Sequence, residues 1–68
     1  MKLDNTLYEV IQQMRKRGGS FVQSLAECLG FADDENRDAI IKAFPHIIER
    51  YDAWASLARK EKELEETP

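Results

Sequence analysis

Residues 40–60 read IIKAFPHIIERYDAWASLARK, and where this stretch is cut decides the fold. Ile40, Phe44, Ile47, Tyr51, Trp54 and Ala58 recur at three- and four-residue spacing, the period of one face of an α-helix. Pro45 interrupts them. Inside a helix its ring would clash with the carbonyl of Ile41, and it has no N–H to donate. It also disfavours helical geometry at Phe44. As the first residue of a new helix it costs almost nothing. The reading is therefore a break at Phe44 and a long helix from Pro45 to about residue 64. A single helix kinked at Pro45 is the rival, because the period runs straight through.

Upstream of this stretch lie three shorter segments. Leu3, Leu7, Val10, Ile11 and Met14 give an apolar face to a helix over residues 4–17. Asp4 can cap it, or Thr6 and Glu9 can form a T-x-x-E capping box. Arg15, Lys16 and Arg17 suit the negative end of its dipole, and Gly18 is expected to end it in a left-handed conformation. Ser20 with Gln23 offers a second capping box for a helix over 20–29, with Phe21, Val22, Leu25, Ala26 and Leu29 inward and Gly30 as its stop. Asp33 caps a third helix over 33–44, whose apolar residues are Ile40, Ile41 and Phe44.

The expected fold is all-α: a compact bundle of three short helices plus one longer C-terminal helix. Residues 1–64 form a single domain and 65–68 a frayed acidic tail. The expected core is Leu7, Val10, Ile11, Met14, Phe21, Val22, Leu25, Leu29, Phe31, Ile40, Ile41, Phe44, Ile47, Ile48 and Tyr51. At 68 residues there is room for one domain, and one this small buries only about 60% of its unfolded surface. A single Cys allows no internal disulfide, as in a reducing compartment. No apolar run approaches the roughly 18 residues of a membrane span, and no signal peptide is apparent.

Catalytic chemistry has little to work with. One His (His46) and one Cys (Cys28) stand in no C-x-x-C, H-E-x-x-H, G-x-S-x-G or phosphate-loop pattern. His46 reads as a polar residue at a helix start, Cys28 as a small core or boundary residue. The acidic face Asp33, Asp34, Glu35 and Asp38 lacks the alternating ligands and glycine turn of a Ca²⁺ loop and reads as helix-start electrostatics. The expectation is no enzyme, no metal and no cofactor.

DNA binding is a stronger rival. Leu25, Ala26, Leu29, Gly30 and Phe31 supply the first half of a helix-turn-helix pattern. The second half fails: Asn36 stands where an apolar residue belongs, and the reading helix would carry four carboxylates toward phosphates. Residues 31–68 hold six Lys/Arg against ten Asp/Glu. The basic patch Arg15, Lys16 and Arg17, with Lys2 at the far end of its helix, reads first as dipole complementation at a helix end.

Protein contact is the third class. The first helix is too short to cover the fourth, and Trp54, Leu57 and Leu64, with Tyr51 beside them, form a candidate interface in or near the excess. Trp54 reads equally as the closure of a monomer core. Two copies laid antiparallel along the fourth helix would bury this face, so a homodimer is expected. The charge order at its end is poor, since Arg59 precedes Glu63 and Lys62 precedes Glu66.

The stretch RKRGGSFVQSLAECLGFADDENRDAIIKAFPHIIERY resembles small helical proteins of unknown role encoded by bacteriophages and prophages. GGSFVQSLAE, the AD-x-EN turn and AFP before an aromatic-ending helix carry the likeness, which covers residues 8–51, roughly two-thirds of the chain. The resemblance brings no catalytic or ligand residue. It implies a phage-encoded protein in a bacterial host cytoplasm, acting by binding and inhibiting a host protein. A helix-turn-helix-like regulator and an acidic mimic of DNA are the alternatives.

Overall fold

The computed structural model describes residues 3–66, with side chains through residue 64, and within them every regular element is an α-helix. They are α1 (Leu7–Arg17), α2 (Ser20–Phe31), α3 (Asp34–Ala43) and α4 (Pro45–Glu66). This is the all-α bundle with a long last helix that the hydrophobic periods imply. The helix reaches Glu66, two residues beyond the expected domain edge, and residues 67 and 68 of the expected tail lie outside the described part.

Helix starts follow local chemistry. Of the two competing starts, Thr6 wins: its Oγ1 accepts from Glu9 N and its own N–H donates to Glu9 Oε1, a complete capping box. Asp33 caps α3 by accepting from Asn36 N at 2.9 Å. The break comes where proline demands it, with Phe44 at φ −129°, ψ 55° and Pro45 as the first residue of α4.

The glycines behave differently from expectation. Gly18 is extended (φ −80°, ψ 154°), and no glycine among the described residues has positive φ. What Gly18 supplies is room: a Cβ there would lie 2.4 Å from Val22 Cγ1 and 2.6 Å from the Met14 carbonyl oxygen. Gly30 does not stop α2, which continues to Phe31 and ends at Ala32. The Ser20–Gln23 capping box does not form either. Gly19 is the N-cap without a side-chain bond, and Gln23 Nε2 instead donates to the carbonyls of Gly18 (2.9 Å) and Arg15 (3.4 Å). Gln23 thus satisfies orphan acceptors at the end of α1, a tertiary use that the spacing conceals.

The core lies chiefly among α1, α2 and α4: Val10, Ile11, Met14, Leu25, Ala26, Leu29, Ile48, Tyr51 and Ala55 are buried. Helix α3 buries no residue fully; Ile40 and Ile41, with Phe44 just beyond, pack half-buried against the core. Two expected core residues are corrected. Phe31 is 89% exposed, and Phe21, 58% exposed, stands edge-on to Phe44 with centroids 5.7 Å apart. Helix α2 is apolar on more than one side, and the sides holding these two rings are left without a covering helix. The cut at Pro45 leaves α1 with 11 residues beside an α4 of 22, about 16 Å beside about 33 Å. The molecule is accordingly elongated, 43 Å in its longest dimension.

Candidate functional site

Two surfaces hold the residues singled out by sequence. On α4, Tyr51 is buried in the core and leaves the candidate interface. Trp54 is half-buried beneath the Arg17 guanidinium, whose central carbon is 3.9 Å from the ring centroid, a cation–π contact between α4 and the end of α1. Leu57 and Leu64 are exposed, 43% and 76%, and seven residues apart lie along one line of the helix. A shallow hollow joins Arg50, Ala53, Trp54 and Leu57. The basic patch is therefore partly engaged: Arg17 caps Trp54 and donates to Gln13 at 3.0 Å, while Arg15 and Lys16 are exposed. Lys2 lies outside the described residues.

The second surface lies between α2 and α3. A groove of about 700 Å³, open to solvent, is lined by Cys28, Phe31, Ala32, Ala39, Ile40 and Phe44 among others. Glu27 is its charged lining residue. Cys28, read from sequence as a core or boundary residue, is exposed here. Asp33, Asp34, Glu35 and Asp38 are all exposed on α3. Asp33 is occupied as the cap, and Asp34 pairs with Arg37 Nη1 at 3.2 Å. Arg37 Nη2 also holds the Ala32 carbonyl, fixing the turn between the helices.

The polar network that ties α1 to α4 escaped sequence reading. Asp52 is buried, and its carboxylate accepts from Asp4 N (2.9 Å), Asn5 N (3.1 Å) and Asn5 Nδ2 (2.9 Å). Asn5 Nδ2 also reaches the Asp52 carbonyl and Ser56 Oγ, each at 2.9 Å. One signal could have found it. Asp52 occupies the line Ile48–Asp52–Ala55 of an otherwise apolar stripe, and a carboxylate there needs donors. Beside it, Arg59 Nη2 bonds both Glu9 oxygens at 2.8 and 2.7 Å, so Arg59 serves α1 directly and not only its own helix. The guanidinium, then the Thr6 hydroxyl and N–H, hold the Glu9 carboxyl below its ordinary range, and Glu9 in turn raises Arg59.

Every buried side-chain polar atom among the described residues has a partner, and no three His, Cys, Asp or Glu side chains there are placed to hold a metal. No helix there is long and apolar enough to cross a membrane. His46 is exposed at the start of α4. No family model matches the chain, and no curated protein or solved structure is detectably similar to it.

Proposed function

We propose that this chain works without catalysis, by binding another protein, and that it is a phage-type protein whose partner is a bacterial host factor that it inhibits in the cytoplasm. The observation that carries the reading is the uncovered apolar groove between α2 and α3, with Phe31 89% exposed at its edge. Exposed contiguous apolar surface on a small domain is the usual mark of a contact surface. The carboxylates of α3 weigh against the helix-turn-helix alternative, because the helix that would read DNA brings like charge to phosphate. An acidic mimic of DNA would use the same four carboxylates against a DNA-binding host factor.

The test is affinity capture from bacterial lysate with the full chain immobilised, beside a Phe31→Ser variant. The reading expects an identifiable protein held in stoichiometric amount by the wild type and lost with Phe31→Ser. Nothing retained above the bare support overturns it. A sub-micromolar shift of duplex DNA, weakened by Arg15→Ala, replaces it with the DNA-binding alternative.

A second reading, self-association through α4, is favoured by the exposure of Leu57 and Leu64 on one line. An antiparallel mate would bury this line with two-fold symmetry. Sedimentation equilibrium at micromolar concentration decides it: a dimer that Leu57→Asp splits supports it, and a monomer overturns it.

A further inference from the structure

We infer that the occupant of the α2–α3 groove is an amphipathic helix of a partner protein, with apolar anchors inward and Lys or Arg along its flanks. The inference rests on the protein-binding reading and adds the chemistry of the partner. Shape gives the first part. The lining of α3 runs from Asn36 to Ala43, two turns or about 10 Å, which matches anchors at i, i+3 or i+4, and i+7 of a docked helix. Ala32 and Ala39 keep the wall low, so a partner backbone can approach, while Phe31 and Ile40 offer bulk to pack against.

Charge gives the second part. Residues 20–44 hold five Asp/Glu (Glu27, Asp33, Asp34, Glu35, Asp38) and two Lys/Arg (Arg37, Lys42), and α2 contains no basic residue at all. Arg37 is bound to Asp34 and the Ala32 carbonyl. Lys42 and Asp38 together border a different hollow with Ile41 and Pro45, and Arg15 reaches α2 at Gly30, which does not line the groove, so Glu27, Asp33, Asp34 and Glu35 remain against Arg37. The groove therefore presents apolar surface within a negative surround, and complementary charge speeds and orients the encounter. A second copy is the weaker candidate. The exposed apolar line of α4, Leu57 to Leu64, carries three Lys/Arg and two Asp/Glu, a net charge of only +1, so it offers the groove little complementary charge. An anionic lipid surface is disfavoured because it would bring negative charge to a negative groove.

The experiment uses the isotope-labelled full chain and two synthetic helices with one Leu face, flanked by Lys in one and by Glu in the other. The expected result is chemical-shift change confined to α2 and α3, with the Leu/Lys helix preferred by about tenfold over Leu/Glu. Phe31→Ser should weaken the Leu/Lys helix by about tenfold, Glu27→Gln by a few-fold and Leu64→Ser not at all. Both Phe31 and Leu64 are exposed, so these variants keep the fold, which circular dichroism checks. Equal affinity for the two helices, shifts centred on α4, indifference to Phe31→Ser, or no binding of either helix overturns the inference. If lysate capture persists while the peptides fail, only the helical and basic assignment is lost. If capture fails while the peptides bind as expected, the groove chemistry stands and the proposed cellular role falls.

Discussion

The α1–α4 pairing and the α2–α3 groove are built on opposite principles. Between α1 and α4, Val10, Met14, Ile48 and Ala55 are buried to within a few per cent, and the polar groups at the edge are matched: Asp52 with Asn5, Glu9 with Arg59, Arg17 on Trp54. Between α2 and α3 the same chain leaves Phe31, Cys28 and Ala39 facing water, and α3 buries nothing completely. Helix α3 holds to the body near its end, through Ile40, Ile41 and the following Phe44, while its residues 34–38 are polar. Stability is concentrated in one interface, and exposed apolar surface in the other. In so small a domain the two demands compete for the same few apolar residues.

The sharpest way to break this contrast is to truncate one core residue on each side. Ile48→Ala, at a fully buried site, should cost about 2–5 kcal/mol in urea unfolding, and Ile41→Ala on α3 about 1 kcal/mol. Equal costs would show that α3 is as integral as α4. Amide hydrogen exchange gives the same contrast residue by residue, with α3 opening at lower free energy than α1 or α4. Next in size is Asp52→Ala, which strands the Asp4 and Asn5 backbone amides while the Asn5 side chain keeps the residue 52 carbonyl and Ser56; a loss of about 3 kcal/mol is expected from the same titration.

Gly18→Ala tests the close approach of α1 and α2. Its φ suits alanine, so the cost comes from the Met14 carbonyl and Val22, and about 1–3 kcal/mol is expected by thermal unfolding. Gly19→Ala, with nothing within 4 Å of the new methyl, should stay within about 0.5 kcal/mol. The smallest effect is electrostatic. Because Arg59 lowers the folded Glu9 pKa below its unfolded value, the pair stabilises fully above the ordinary glutamate range. That contribution is lost as pH falls through the folded value. Urea midpoints measured down the acid limb should converge for wild type and Glu9→Gln, with the wild type ahead near neutral pH. Parallel curves would mean the exposed pair contributes nothing measurable.

What the sequence made legible was local. The Thr6–Glu9 box, the Asp33 cap and the Phe44–Pro45 break each depend on residues within four positions, and all three form. What it hid was the choice among faces. Helix α2 has apolar residues on several sides, and no spacing rule says that Leu25 and Leu29 go inward while Phe21 and Phe31 stay out. Gln23 and Gly18 depart from local capping logic for the same reason: each answers to a neighbour on another helix. At the α4 surface, Leu57 and Leu64 are exposed, but Tyr51 belongs to the core and Trp54 is shared with Arg17.

The Asn5–Asp52 bond has a consequence for how the molecule assembles. Its partners are 47 residues apart, and the most extensively packed pair of helices is also the pair most distant in sequence. Helical bundles owe their fast folding to contacts between neighbours along the chain. Here the decisive contact must wait for closure of a loop that spans α2 and α3, and closure entropy slows it. During synthesis α1 can meet α2 early, and Thr6 can hold the Glu9 carboxylate, but the α4 partners of Asn5 and Glu9 are missing until residues 52–59 exist. Folding of this chain is therefore a late, nearly all-or-none event, completed only when its fourth helix reaches back to the start.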